Sequence, residues 1–354
     1  MMVILVAITP DSLHAHERLT IHTNRLVDHT TRTLTARWAT AWRELSAEWE
    51  TAISEIIAAQ TAGETLHAGQ IAQLDRVTRA LTATAEQLVT LTEGIPDAID
   101  GPLAQILTDT NTITRQIVTT QLPATLRPGF ALMSKPAMRA IIDRTMGQVH
   151  AASWPLADDA ISAIKTTLIR AVPSGWAPAR AAEEMLERTQ TGFNGGLTRA
   201  MTIARTEMLD AHRAAAGQLY KANKDVIQSW VWVAHLDART CPACIAMHGT
   251  EHTTETPGPE GHQNCRCTGV PKTKTWAELG FPDLDEPADT IPDANQWITD
   301  NPAAAKRALG KTRYDMLTRG DITLNDLATK RHNTGWRDSW HATTVRDLER
   351  KTRT

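Results

Sequence analysis

Tyrosine and phenylalanine are nearly missing from this chain, with 2 and 3 copies among 354 residues, while tryptophan occurs 11 times. Any core that needs aromatic volume must therefore take it from Trp. Cysteine is equally scarce, with 4 copies, all between Cys241 and Cys267. A small disulfide-stapled scaffold distributes its cysteines along the chain, and this one does not. No segment reaches the roughly 20 apolar residues needed to span a bilayer. The apolar start Val3-Ile-Leu-Val-Ala-Ile8 is short, has no basic residue before it and runs into Thr9-Pro10-Asp11. It reads as a strand or packed arm, not as a secretion signal, and the expected compartment is a reducing cytoplasm. Charge of one sign is also lacking: 37 Lys and Arg face 40 Asp and Glu, for a net charge of −3. The molecule as a whole thus offers no electrostatic case for nucleic acid.

The charge is uneven, however. Residues 305–354 carry 12 Lys/Arg and 6 Asp/Glu, a surplus of +6 that leaves −9 for the rest. Such a region can contact DNA phosphates weakly, or it can simply be a solvated helical face. The length allows two or three folded segments, and neither an internal repeat nor a long low-complexity run is visible.

The first third has a helical period. Trp38, Trp42, Leu45, Trp49, Ile53 and Ile56 follow one another at steps of three and four, extended upstream by Leu19 and Leu26. Leu74, Val77, Leu81, Leu88 and Leu91 form a second apolar seam, and Leu103, Ile106, Ile113 and Ile117 a third. Breaks are expected at Gly63–Gly69 and between Gly94 and Pro102, with Asp100 capping the third helix and Pro102 in its first turn. Many Thr residues weaken the intrinsic helix propensity, so these helices need each other or a partner. The fold expected for residues 1–122 is a long helical hairpin or bundle.

A Pro/Gly-bearing connection over residues 122–136 leads to further helical patterns at about 137–152, 156–171 and 178–190. Asn194-Gly195-Gly196 should interrupt the chain before a last long helix over 197–222. Gln228-Ser-Trp230-Val-Trp232-Val-Ala234 alternates as a strand, and residues 245–248 and 265–270 are its expected partners. Short helices fit 294–299, 302–308 and 311–318, and Asp321 to Leu327 reads as a cap and turn.

Cys241-Pro-Ala-Cys244 and His262-Gln-Asn-Cys265-Arg-Cys267 enclose a loop with too few apolar residues to be fixed by packing. Two cysteines three positions apart can turn both sulfurs to one ion, and two on an extended segment separated by one residue leave the same face. One structural zinc held by Cys241, Cys244, Cys265 and Cys267, or with His262 in place of one of them, would close the loop. The alternatives are disulfides or reduced thiols that only pack.

In order along the chain stand Ala204-Arg205-Thr206-Glu207, Trp230 and Trp232, Asp237-Ala-Arg-Thr240 before the first cysteine pair, His248-Gly249, Gly261 before His262, and Pro271. This order resembles the head-morphogenesis domain of the phage Mu F-like, or SPP1 gp7-like, minor head proteins, over about residues 135–275. Trp297, Leu309 to Tyr314 and Gly320-Asp321-Ile322 resemble an element that trails that domain. The resemblance implies a non-enzymatic capsid-building protein. It would associate with the phage portal protein and with capsid and scaffold proteins, act in the host cytoplasm during assembly and reside inside the virion head near the portal. No residue is expected to be catalytic, and no membrane is involved.

Two enzymatic readings compete. His248-Gly-Thr-Glu251-His252 has the inverted zinc-protease spacing, which requires a helix, yet it contains Gly and is followed by Thr253-Thr-Glu-Thr-Pro257. A small zinc-anchored nuclease would use one of His235, His248, His252 or His262 with Asp237 or Glu251. Arg205, Glu207 and His212 on one helix read better as polar anchors than as a catalytic group. The chain is thus expected to be mainly α: a long N-terminal helical hairpin or bundle (1–122), a small zinc-tied α+β unit within a helical segment (135–275), and short helices in a basic C-terminal region (283–354).

Overall fold

A computed structural model describes residues 8–62, 70, 73–126, 128–170, 178–333 and 337–352. The expected arm at residues 3–8 and the break at 63–69 lie outside them, except for Ile8. Helices dominate: α1 (Pro10–Thr61), α2 (Asp75–Glu93), α3 (Ile95–Thr119), α4 (Lys135–Ser153), α5 (Leu156–Arg170) and α6 (Pro178–Ala222). They are followed by β1 (Ile227–Val233), α7 (Pro242–Met247), β2 (Glu251–Thr253), β3 (Thr268–Thr273), α8 (Ala294–Asp300), α9 (Pro302–Leu309), α10 (Lys311–Thr318), β4 (Ala328–Arg331), β5 (Ser339–Ala342) and α11 (Val345–Thr352). The chain divides into two compact units, each assembled from segments distant in sequence, and α1, α3, α4 and α6 contribute residues to both.

One unit comprises residues 26–103 and 142–208. Its core is the predicted Trp seam, with Trp38 and Trp49 fully buried beside Leu34, Ile53, Ile56 and Leu88. Trp42 packs on Phe193 with ring centroids 5.4 Å apart. The Trp49 indole N–H donates to Thr84 Oγ1 at 3.0 Å, and that hydroxyl donates in turn to Ala80 O at 2.7 Å. Thr is tolerated in these helices by such back-bonding, which satisfies the hydroxyl locally. Two expected boundaries are corrected here. Helix α3 begins at Ile95, so Asp100 is no cap and Pro102 lies inside the helix. Proline leaves the carbonyl four residues back without its helical donor, and Thr30 Oγ1 donates to that Ala98 oxygen at 3.3 Å. Asn194-Gly195-Gly196 likewise does not interrupt α6. A Cβ on Gly196 would lie 2.9 Å from Leu156 Cδ2. That glycine serves the close approach of helices rather than a turn.

The other unit comprises residues 1–25, 104–141 and 209–354. Strand β1 forms as expected and occupies the centre of an antiparallel sheet of order β2-β1-β3. One face of β1 carries Val231, which packs with Ile8, Ala15, Ile117 and Val270. The other carries Trp230 and Trp232, and the His252 ring stacks on Trp230 at 4.3 Å. Residues 245–248, expected as a partner strand, instead end the short helix α7. Pro242 at its first position favours a helix start. Ile245 and Ala246 then join an apolar cluster with Ile298, Leu309, Met316, Leu327 and Leu348 of the C-terminal region. The predicted short helices of that region are present, and Thr323 with Asp326 forms a capping box ahead of Leu324.

Candidate metal centre

The loop between β1 and α7 is built on Asp237. Its Oδ1 accepts from Arg239 N at 2.8 Å and from Thr240 Oγ1 at 3.1 Å, and the Thr240 hydroxyl also approaches His235 O at 2.8 Å. This turn presents Cys241 as the N-cap of α7, with its Sγ accepting from Cys244 N at 3.4 Å. The second half-site follows Asn264, which adopts a left-handed φ of 59° and turns the chain so that Cys265 faces the first pair. A side chain on Gly261 would collide with Cys265 Sγ, so glycine is required at that position. Cys265 and Cys267 precede β3 and do not lie on it.

The expected ligands converge. Cys241 Sγ and Cys244 Sγ are 3.3 Å apart, Cys244 and Cys265 Sγ 3.7 Å, and His262 Nε2 lies 3.6 Å from Cys244 Sγ. Tetrahedral Zn–S bonds near 2.3 Å place sulfurs about 3.7–3.8 Å from each other. Two triads share Cys244, namely Cys241, Cys244 and His262, and Cys244, Cys265 and Cys267; within each, the ligand atoms lie within 4.8 Å. His262 Nδ1 donates to Gln263 O at 2.6 Å, and its hydrogen bond with Cys241 raises His262 to about 9, so Nε2 carries a proton toward the sulfurs that a metal ion would replace. Each of the five candidates thus belongs to a triad that could hold a metal ion, with Cys244 common to both.

The electrostatics of the sulfurs point the same way. Hydrogen bonding with Cys244 and contact with His262 lower the Cys241 thiol to about 5, and hydrogen bonding with Cys244 and Cys267 holds Cys265 well below the ordinary thiol range. Cys244 is pushed well above it, chiefly by its hydrogen bonding with Cys241 and then with Cys265 and Cys267. Sulfurs this close cannot all ionise in the absence of a cation. The Trp232 indole N–H is buried with no well-formed hydrogen bond among the described residues and lies near Cys267, where a thiolate would accept from it.

The supporting shell was not legible as such in the sequence. Arg213 on α6 is buried; its Nε donates to Cys267 O at 3.0 Å and its Nη2 to Cys265 O, while Nη1 pairs with Asp210. Arg337, from the C-terminal region, donates to both Asp210 oxygens at 2.9 and 2.8 Å and to Gly261 O at 2.7 Å. Arg266, between the two distal cysteines, forms a bidentate pair with Asp237 at 2.9 and 2.7 Å and so joins the two half-sites. Despite desolvation, these Arg266 bonds and the Arg239 backbone hold the Asp237 carboxyl below its usual range. The one available signal was the position of an Asp four residues before Cys241 and an Arg between Cys265 and Cys267.

The other sequence candidates are scattered. His248 accepts from Ala234 N at 3.0 Å and donates to Pro292 O at 2.8 Å, so both ring nitrogens are engaged. Glu251 accepts from Ser229 Oγ and from the buried Lys272, and His252 Nε2 lies 2.9 Å from Thr250 Oγ1. The protease helix does not form, because Glu251 and His252 are on β2. Arg205 pairs with Asp28 at 3.0 Å, and buried His212 bonds Thr110 at 2.8 Å, each as a structural anchor. A neighbouring cavity of about 460 Å³ is lined by His16, Glu17, His235, His248 and Arg266 among threonine and apolar side chains.

The described residues are mainly helical, with a small antiparallel sheet and a Cys/His cluster that could hold a metal ion. Residues 162–270 match the family described as phage Mu protein F like protein, a segment that ends three residues beyond Cys267. The resemblance to the phage Mu F-like head morphogenesis family thus holds over under a third of the chain. No curated protein and no solved structure matches.

Proposed function

We propose that this chain is a minor head protein of a tailed phage, with residues 135–275 as its head-morphogenesis part and one structural zinc on ligands drawn from Cys241, Cys244, Cys265, Cys267 and His262. The observation that carries this reading is the coincidence of the family match with the converging knuckle. Zinc, when bound, supplies a fixed tetrahedral crosslink and no reaction. Arg213 and Arg337 orient the ligand loop by holding the carbonyls of Gly261, Cys265 and Cys267. The protein acts in the host cytoplasm during assembly, binds portal and capsid or scaffold proteins, and enters the virion head. Among the described residues no helix is long and apolar enough to cross a membrane. Weak DNA contact would use exposed Lys306, Arg307, Arg331 and Arg346, since Lys330, Arg337 and Lys351 are engaged by acidic groups.

Deleting the gene from its phage should disturb head assembly, packaging or infectivity. Cys244→Ser should reproduce that defect, whereas His248→Ala and Glu251→Ala should leave the metal content unchanged and have smaller effects. A small zinc-dependent nuclease is the second reading, favoured by the cavity that gathers His235 and Glu17. Divalent-metal-dependent cleavage of plasmid DNA by the purified chain, abolished in Glu17→Gln or His248→Ala with the zinc retained, would replace the structural reading by the enzymatic one.

A further inference from the structure

We propose that Cys241 and Cys244 form a peroxide-sensitive thiol site, whose oxidation to a disulfide dismantles the metal centre. This rests on the metal reading above and adds a regulation to it.

Access singles out one sulfur. Cys244, Cys265 and Cys267 are buried, and Cys241 alone among the cysteines is half-buried. An open groove of about 490 Å³, lined by Cys241, His262, Gln263, Asn333 and His341, leads to it. Geometry singles out its partner. Cys244 Sγ stands 3.3 Å from Cys241 Sγ, and the two residues are about one helical turn apart across Pro242, a spacing at which dithiols close with little backbone movement. The distal pair lacks the access, and its backbone is held. Cys265 and Cys267 are sealed inside, and Arg213 fixes their carbonyls.

The chemistry balances with hydrogen peroxide as oxidant. The Cys241 thiolate attacks one peroxide oxygen; the S–O bond forms, the O–O bond breaks and hydroxide leaves. Sulfur has lost two electrons, and Cys241 is a sulfenic acid. The Cys244 thiolate then attacks that sulfur; the S–S bond forms, the S–O bond breaks and a second hydroxide leaves. Two thiolates and one peroxide thus become one disulfide and two hydroxides. The ion keeps at most Cys265, Cys267 and His262 and is released. A thiol reductant reverses the reaction.

The test uses the full chain, purified under reductant, with its zinc content measured first. A content near zero would overturn the metal reading itself. Zinc-loaded protein is then treated with hydrogen peroxide, release is followed with a chromogenic chelator, and the disulfide is located by non-reducing peptide mapping. The expected result is one zinc released per Cys241–Cys244 disulfide, recovered after reduction. The variant Cys241→His keeps a zinc-binding side chain but cannot form the disulfide, and its release should be slower by roughly tenfold or more. Loaded protein that retains zinc under peroxide, or that first oxidises at Cys265 or Cys267, would overturn the inference while leaving the metal reading intact. So would a zinc-loaded Cys241→His protein that releases as fast as the parent.

Discussion

The unit of residues 26–103 and 142–208 and the cysteine knuckle of the other unit reach order by opposite routes. In the first, Trp38, Trp49, Leu88 and Phe193 are fully buried; the Trp49 indole N–H is satisfied by Thr84, whereas the Trp38 indole N–H is buried with no hydrogen-bond partner among the described residues. Order there comes from apolar area removed from water, which is non-directional and tolerant of detail. Apart from helix α7, whose Ile245 and Ala246 join the C-terminal apolar cluster, the knuckle has little apolar filling. It is positioned by a buried arginine, two carboxylates and converging sulfurs, all of which are unfavourable to bury singly. A helical core can thus be weakened by degrees, whereas a ligand set holds or fails as a whole.

The strongest way to break this comparison is to deny the proposed zinc its ligands. Cys244→Ser, or a chelator, should abolish metal binding and perturb Trp230 and Trp232 fluorescence, because structural zinc sites contribute on the order of 10–16 kcal/mol to folding. The helical circular dichroism should largely persist. Loss of all helical signal on chelation would show that the two routes are not separable. Next in size is Trp49→Ala, which should cost about 3–5 kcal/mol in denaturant unfolding while leaving zinc content unchanged. A near-zero cost would contradict the full burial of that side chain.

Acid should act on the unit with the knuckle through two buried imidazoles. Desolvation, aided by His235, lowers His16 to about 4, and desolvation with Arg213 and His16 lowers His212 to about 3. The unfolded chain, with ordinary His values, binds more protons below about pH 6.5, so stability must fall from there toward the folded values. At pH 5 the loss should be about 2 kcal/mol for each histidine. His212→Asn should flatten the pH dependence between 6.5 and 5 by about half, and an unchanged slope would refute the assignment. The smallest effect is expected for Arg188→Ala, which removes an exposed pair with Glu184 one helical turn away and should cost about 0.3–0.5 kcal/mol.

Much of this was legible along the chain. The Trp seam, the alternation of β1, the short C-terminal helices and the five metal candidates are local patterns, and each depends on spacing alone. The misreadings occurred where a local preference met a distant neighbour. Gly195-Gly196 signals a break in isolation, but the helix continues, and Leu156 packs so close to Gly196 that a Cβ there would lie 2.9 Å from its Cδ2, whereas Gly195 faces open space. Pro102 signals a helix start, but Thr30 supplies the donor that the missing N–H would have been. Residues 245–248 have strand-like composition, yet the N-cap at Cys241 and the apolar cluster around Ile245 make them helical.

The sequence by itself determined the periodicity of the helices and the grouping of the cysteines, because both are properties of neighbouring residues. Only the tertiary structure decided that Arg213, Arg337 and the Asp237–Arg266 pair support the knuckle. Those partners lie far apart in the chain, and their buried charges become favourable only when the fold brings the opposite charges and the backbone carbonyls within hydrogen-bonding distance.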